Sequence, residues 1–180
     1  HIIKKLQITE NMDVLDIGCG WGGMAIEIAK STGAKVKGIT LSENQFKTAS
    51  ERAQKEGLAD KVSFALQDYR NETEKYDRIV SVGMFEHVGV KYFKTYLSKA
   101  NDILKENGVF LLHTIGQRGK PTATSPWIRK YIFPGGYIPS LSEVMNATQK
   151  LNINVTDVEV LRLHYAHTPV SYTHLTLPTI

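Results

Sequence analysis

Short apolar runs and helix-spaced apolar stripes alternate along the chain. Val14-Leu15-Asp16-Ile17 is an apolar run closed by glycines and predicts a buried strand. Residues 22–31 place Met24, Ala25, Ile28 and Ala29 at helical spacing. Val36–Ile39 predicts a second strand. Ser42-Glu43-Asn44-Gln45 has the form of a capping box, opening a helix with Phe46, Ala49 and Ala53 on one face; Gly57 ends it. Val62–Leu66 predicts a third strand and Arg78–Val82 a fourth. Residues 90–104 carry an amphipathic stripe of Tyr92, Phe93, Tyr96, Leu97, Ala100 and Leu104. Asn107-Gly108 then turns the chain into a fifth strand, Val109–Leu112. Residues 141–150 predict another helix, and Val155–Leu161 a sixth strand. Ahead of the first strand, Ile2, Ile3 and Leu6 mark a helical segment. Near-continuous apolar strands alternating with helices predict an α/β domain, doubly wound around a mainly parallel sheet. Ligands of such a sheet lie at the carboxyl ends of its strands.

Length and composition narrow this picture. The 180 residues, 42% hydrophobic and 22% charged, fit one folded domain and argue against disorder. The single cysteine, Cys19, allows no internal disulfide and suits a reducing, cytoplasmic compartment. No run approaches the eighteen or so apolar residues of a membrane span, and His1–Thr9 lacks the apolar core of a signal peptide. The net charge of +4 is concentrated: Asn107 to Ser142 holds Arg118, Lys120, Arg129 and Lys130 and no acid. Trp127, Tyr131, Phe133 and Tyr137 interleave with that charge, and Pro126 to Pro139 reads as amphipathic. Basic groups with aromatic anchors suit an anionic lipid surface, or a lid packed over an active site. No nucleic-acid motif accompanies them, so nucleic acid is not an expected partner.

The candidate chemistry begins at Asp16-Ile17-Gly18-Cys19-Gly20-Trp21-Gly22-Gly23, where the first strand turns into the first long helix. Glycines admit a ligand close to the backbone, and the helix N-terminus favours a negative group. Two readings compete. Gly18, Gly20 and Gly23 satisfy the dinucleotide spacing, which also wants an acid at the end of the second strand for the ribose. That place holds Gly38-Ile39-Thr40, with no acid. Asp16, two residues ahead of the first glycine, suits instead a ligand with a cationic amino group, such as the methionine end of S-adenosylmethionine.

Val14 to Gly23 resembles the nucleotide loop of class I methyltransferases, and further stretches resemble the cyclopropane-fatty-acyl-phospholipid synthase family. These are Gly38-Ile39-Thr40-Leu41-Ser42, Leu66-Gln67-Asp68-Tyr69-Arg70, Tyr76 to Ser81, Val82-Gly83-Met84-Phe85-Glu86-His87-Val88-Gly89, Leu111 to Gly116, and Pro126-Trp127-Ile128 with Lys130 to Pro134. The likeness runs from about residue 4 to Thr168. It implies the Rossmann-like class I methyltransferase fold, incomplete at its C-terminal end. It also implies a cofactor site: Asp16, Gly18, Gly20 and Trp21 at the methionine part, Thr40, Leu41 and Gln45 at the ribose, Asp68 and Tyr69 flanking the adenine, and Val82 lining its pocket.

The resemblance further implies addition of a methylene group from S-adenosyl-L-methionine across a cis double bond of a phospholipid acyl chain, at a membrane surface. The alkene attacks the sulfonium methyl, and that carbon must then lose a proton for the ring to close, so a base is required. In the family the base is a bound bicarbonate. Its contacts here would be Glu86, His113, the Ile115 backbone and Tyr165. A carboxylate beside bicarbonate repels it unless one of them carries a proton, so Glu86 is an orienting partner rather than the base. Read alone, His113 is a capped strand-end histidine and Tyr165 a half-buried core tyrosine.

The family also contributes a cysteine from a segment upstream of residue 1, and Cys19 is not that residue. No metal is expected, since Glu86, His87 and His113 lack zinc-motif spacing; His164 and His167 read as surface residues. Ser171 to Ile180 carries no acid, Lys or Arg, and resembles the adapter-derived tails of truncated reading frames. The methyltransferase domain is therefore expected over residues 1–168, with 169–180 a non-native tail. Three alternatives stand beside ring formation: methyl transfer to another lipid or small molecule, a nicotinamide oxidoreductase on the same fold, and a fragment that binds cofactor without turning over.

Overall fold

The computed structural model describes residues 1–132, 135–149 and 151–161. Five strands form one parallel sheet: β1 (Asp13–Ile17), β2 (Lys35–Thr40), β3 (Val62–Leu66), β4 (Tyr76–Val82) and β5 (Leu104–His113), in the order β3-β2-β1-β4-β5. Five helices accompany them: α1 (Ile2–Leu6), α2 (Gly23–Thr32), α3 (Glu43–Lys55), α4 (Phe93–Asp102) and α5 (Leu141–Thr148). The order reverses between β1 and β4, so the crevice above their carboxyl ends is the place for a ligand.

Both faces of β1 are buried, which explains its unbroken apolar run. Val14 packs with Ile26, Ile28, Val36 and Val80 on the α2 side. Leu15 and Ile17 pack with Ile79, Phe85, Phe93, Tyr96 and Leu97 on the α4 side. Asp16 pairs in register with Gly38 on one neighbour and Val80 on the other. It is therefore a carboxylate inside an apolar layer.

Several elements differ from expectation, each for a visible reason. Among the described residues the sixth strand over Val155–Leu161 does not form: residues 153–161 have no ladder partner there. Their acids turn to α1 instead, with Glu159 on His1 at 2.8 Å and on Lys5 at 2.7 Å, and Asp157 also on Lys5. The helix over 90–104 begins as a separate 3-10 turn, Val90–Tyr92. The fifth strand starts at Leu104, because Leu104 already pairs with Tyr76 before an irregularity carries the register to Val109 opposite Arg78. The capping box at Ser42 is half made. Ser42 Oγ accepts the Gln45 N–H at 3.4 Å, but Gln45 Oε1 accepts from Thr40 Oγ1 at 2.7 Å rather than from the Ser42 amide. A reciprocal box instead caps α5, between Ser140 and Glu143. Tyr165, His164, His167 and residues 169–180 lie outside the described residues.

Candidate active site

The loop between β1 and α2 is pinned from both sides. The Gly18 and Cys19 amides both donate to the Ile39 carbonyl at 3.0 Å, and Arg52 Nη1 donates to the Trp21 carbonyl at 2.7 Å. Gly18 and Gly20 both take positive φ, +79° and +54°. A side chain at Gly18 would strike Met84, 2.9 Å away, whereas above Gly20 there is open space. Gly20 is thus where a ligand meets bare backbone. Trp21 is half exposed at the rim. Cys19 is buried, and burial together with the Asp16 charge pushes its thiol up to about 12, which removes it as a nucleophile.

Asp16 is only 2% exposed, and its Oδ2 has no hydrogen-bond partner. Burial pushes its carboxyl up to about 7. An acid in that state fits a cationic amino group, which would ionise it and satisfy the free oxygen. At the end of β2, Thr40 is buried and Leu41 is exposed. Because Gln45 Oε1 is taken by Thr40, the Gln45 amide is left with N–H donors to offer, the opposite of the acid that a dinucleotide site needs. Asp68 caps the short turn Tyr69–Asn71 and is gripped by Arg70. Tyr69 lies edge-on to Tyr96, 4.9 Å between ring centroids. Val82 ends β4, paired with His113.

Glu86 sits in the 3-10 turn Phe85–His87 just after β4 and is buried. Its Oε1 accepts the Ile115 N–H at 2.6 Å, and its carbonyl accepts the Tyr137 N–H at 2.8 Å. Glu86 therefore ties together the segments after β4, after β5 and before α5. The structure brings Glu86 and Ile115 into direct contact, although the Ile115 amide thereby goes to Glu86. His113 is the exposed last residue of β5, and its carbonyl accepts the Gly83 N–H at 3.1 Å. The Glu86 Oε2 has no partner among the described residues; a species carrying an O–H, as bicarbonate does, would fit that acceptor.

Sequence reasoning missed the surroundings of these residues. Ser81 Oγ and the Tyr96 hydroxyl are also buried without partners among the described residues. Ser81, inside an apolar strand run, was a visible signal; Tyr96 was hidden in a helical stripe whose other members are core. Arg70 and Tyr137 enter the sequence reading only as members of a family stretch and of an aromatic run; their side-chain partners, the Asp68 and Glu143 carboxylates, are set by the folded turns.

Comparison with known proteins places this geometry. The family model for mycolic acid cyclopropane synthetase matches residues 1–175. The chain is 49% identical over 148 residues to the cyclopropane-fatty-acyl-phospholipid synthase of Escherichia coli K12, covering 82% of this chain and 38% of that protein. It is 35% identical over 180 residues to cyclopropane mycolic acid synthase 1 of Mycobacterium tuberculosis, covering 92% of this chain and 62% of that protein. The solved structure of mycolic acid cyclopropane synthase CmaA1, complexed with SAH and CTAB, matches with a TM-score of 0.84 at 31% identity over 96% of this chain and 65% of that one. The chain thus spans between 38% and 65% of these relatives. With almost its whole length matched by the family model and its parallel sheet superposing on a solved relative, the chain belongs to the mycolic acid cyclopropane synthetase family.

Proposed function

We propose that this chain is the cofactor-binding part of an S-adenosylmethionine-dependent transferase that adds a methylene group to a cis double bond of an unsaturated phospholipid acyl chain, closing a cyclopropane ring. The observation that carries the reading is the buried Asp16 carboxylate with its free oxygen, one turn of loop before the open backbone at Gly20. When bound, S-adenosylmethionine supplies an activated methyl group.

The chain's own residues bind and orient. Asp16 takes the amino group, and Gly18 and Gly20 admit the methionine part. Gln45, held by Thr40, offers its amide N–H groups to the ribose. Asp68 and Tyr69 flank the adenine, with Val82 behind it. Glu86, fixed through Ile115, would with His113 and Tyr165 hold bicarbonate as the base. The methyltransferase domain is taken as residues 1–168.

Access to lipid is supported by the face around the π-helical turn Ile128–Ile132. Trp127 and Tyr131 are 57% and 62% exposed, Arg129 and Lys130 are exposed beside them, and the Lys130 ammonium lies over the Tyr131 ring at 5.0 Å. Basic and aromatic side chains together fit an anionic membrane surface at the inner face of the membrane, with the protein peripheral. No helix among the described residues is long and apolar enough to cross a membrane.

Calorimetry tests the cofactor reading: the chain should bind S-adenosylhomocysteine and not NAD. The reverse result would reject the reading in favour of a nicotinamide enzyme. Mass spectrometry of unsaturated phospholipids after incubation with the full-length protein tests the product. A gain of one CH2 with loss of the hydrogenatable double bond marks the ring; a gain of CH2 with the double bond retained, or a methylated, hydroxylated chain, would replace ring formation with another lipid methyl transfer.

A further inference from the structure

Asp68 stands two residues past the end of β3 and opens the turn Tyr69–Asn71, its Oδ1 accepting the Arg70 N–H at 2.9 Å. The Arg70 side chain folds back onto the same carboxylate. Its Nε lies 3.0 Å from Oδ1 and 3.1 Å from Oδ2, and its Nη2 lies 2.6 Å from Oδ2. A planar guanidinium laid on a planar carboxylate fixes its rotation as well as its charge. The Arg70 hydrogen bonds also hold the Asp68 carboxyl below the usual carboxylate range, against the opposing effect of partial burial. The Asp68 side chain is largely covered, while the guanidinium stays at the surface. An ionised carboxylate has about four acceptor sites and no donor. With Arg70 on one edge, what Asp68 has left for a ligand is acceptor capacity in a fixed direction.

We propose that Arg70 is a positioning residue that holds the Asp68 carboxylate in a fixed orientation and thereby sets the site's preference for a 6-amino purine over a 6-oxo purine. The inference rests on the cofactor reading above, in which Asp68 flanks the adenine. A 6-amino group brings N–H donors to that acceptor. A 6-oxo group turns an oxygen toward it, so one hydrogen bond is lost and two acceptors face each other. Without Arg70 the carboxylate can rotate away from that direction, and the distinction weakens.

The test is calorimetry on this chain with S-adenosylhomocysteine and S-inosylhomocysteine, for the wild type, Arg70→Lys and Arg70→Ala. The wild type should prefer the adenosyl ligand by about ten- to a hundredfold, the range for a hydrogen bond to a charged group. Arg70→Ala should bring the two affinities to within a few fold, chiefly by weakening the adenosyl ligand. Arg70→Lys keeps the charge without the fork and should recover only part of the preference. Arg70 lies at the surface, so both variants should fold, and melting temperature checks this. If Arg70→Ala weakens both ligands equally and leaves their ratio unchanged, Arg70 merely supports the turn and the inference is wrong. Tighter adenosyl binding by Arg70→Ala would also overturn it, by showing that Arg70 competes with the purine. Binding of neither ligand by the wild type would overturn the cofactor reading itself, an outcome distinct from an unchanged ratio.

Discussion

At the scale of single residues, the decisive quantity is the free energy of a charge without water. Asp16 has its carboxyl raised to about 7 because it is buried with an oxygen unpaired. Among the described residues, Cys19 in the same loop and Tyr96 on α4 feel its charge, and both are pushed up and neutral at working pH. Below pH 7 the empty site holds a proton that a cationic ligand must displace. Affinity for S-adenosylhomocysteine should therefore fall about tenfold per pH unit as pH drops below 7, and level off above it. Asp16→Asn should flatten this profile and bind about ten- to a hundredfold more weakly at pH 8, as measured by calorimetry across pH. The same raised value costs the ligand-free fold stability as pH climbs from the ordinary carboxylate range toward 7, because the unfolded chain gives up that proton earlier. At Gly20 the argument is steric. With φ at +54° and open space above it, valine would strain the backbone by about 1–3 kcal/mol and occupy the ligand's approach. Gly20→Val should lose S-adenosylhomocysteine binding while lowering the melting temperature by about 2–12 °C.

At the scale of elements, the segment carrying Asp68 and Tyr69 is held in place by Glu72. Glu72 is 1% exposed, yet it is fully partnered: it accepts from Lys37 at 3.0 Å, from Gln67 at 3.1 Å, and from the Thr73 and Glu74 amides. Burial alone would raise its carboxyl, but the Lys37 ammonium and the amides outweigh that and hold it below the usual range. A depressed value contributes stability that is fully present above the unfolded carboxylate pKa and is lost as pH falls through the folded one. Lys37→Met leaves Glu72 with its other donors, so the cost belongs at the low end of the ~3–5 kcal/mol for breaking a buried pair. The melting temperature at pH 7 should fall by about 6–12 °C. The wild-type and variant curves should converge as Glu72 is protonated in acid. Equal losses at pH 7 and in acid would show that Lys37 acts through packing of its stem instead. The same clamp explains why this stretch keeps its shape without a long helix.

At the scale of the whole molecule, charge is segregated rather than merely positive. Fifteen of the eighteen acids lie between Glu10 and Glu106, and the stretch from Asn107 to Ser142 has none. Glu86 and Ile115 meet at the carboxyl end of the sheet, and the basic, aromatic turn Ile128–Ile132 follows in the same acid-free stretch. On the proposed function, this basic turn is the face that would meet an anionic membrane. The chain should co-sediment with phosphatidylglycerol-containing vesicles and not with purely zwitterionic ones. About 0.5 M salt should release it, since screening then acts within a few ångströms. Arg129→Glu combined with Lys130→Glu should abolish co-sedimentation while leaving S-adenosylhomocysteine affinity within about twofold. Binding to both vesicle types alike would reject an electrostatic docking face.

Much of this was legible in the sequence because it is local. Val62–Leu66 is readable to the residue as a strand from its short apolar stretch, although it is the edge strand of the sheet and Ser63 and Leu66 are exposed. The parallel, doubly wound architecture follows from alternation alone, and the place of the ligand follows from the architecture. Asp16 ahead of the glycines fixes the sign of the ligand's charge, and the missing acid after Ile39 removes the dinucleotide reading. Other features depend on groups far apart in sequence, and no periodicity encodes them. Glu86 and Ile115 meet only because β4 and β5 are neighbours in register. The Gln45 amide turns away from its own helix end because Thr40, across the loop, is the better-placed donor. Val155–Leu161 has strand composition but no strand, because a strand is made by its partner's hydrogen bonds and, among the described residues, its acids find α1 instead. Local sequence sets which conformations are cheap. Burial and hydrogen-bond satisfaction, which exist only once distant segments meet, choose among them.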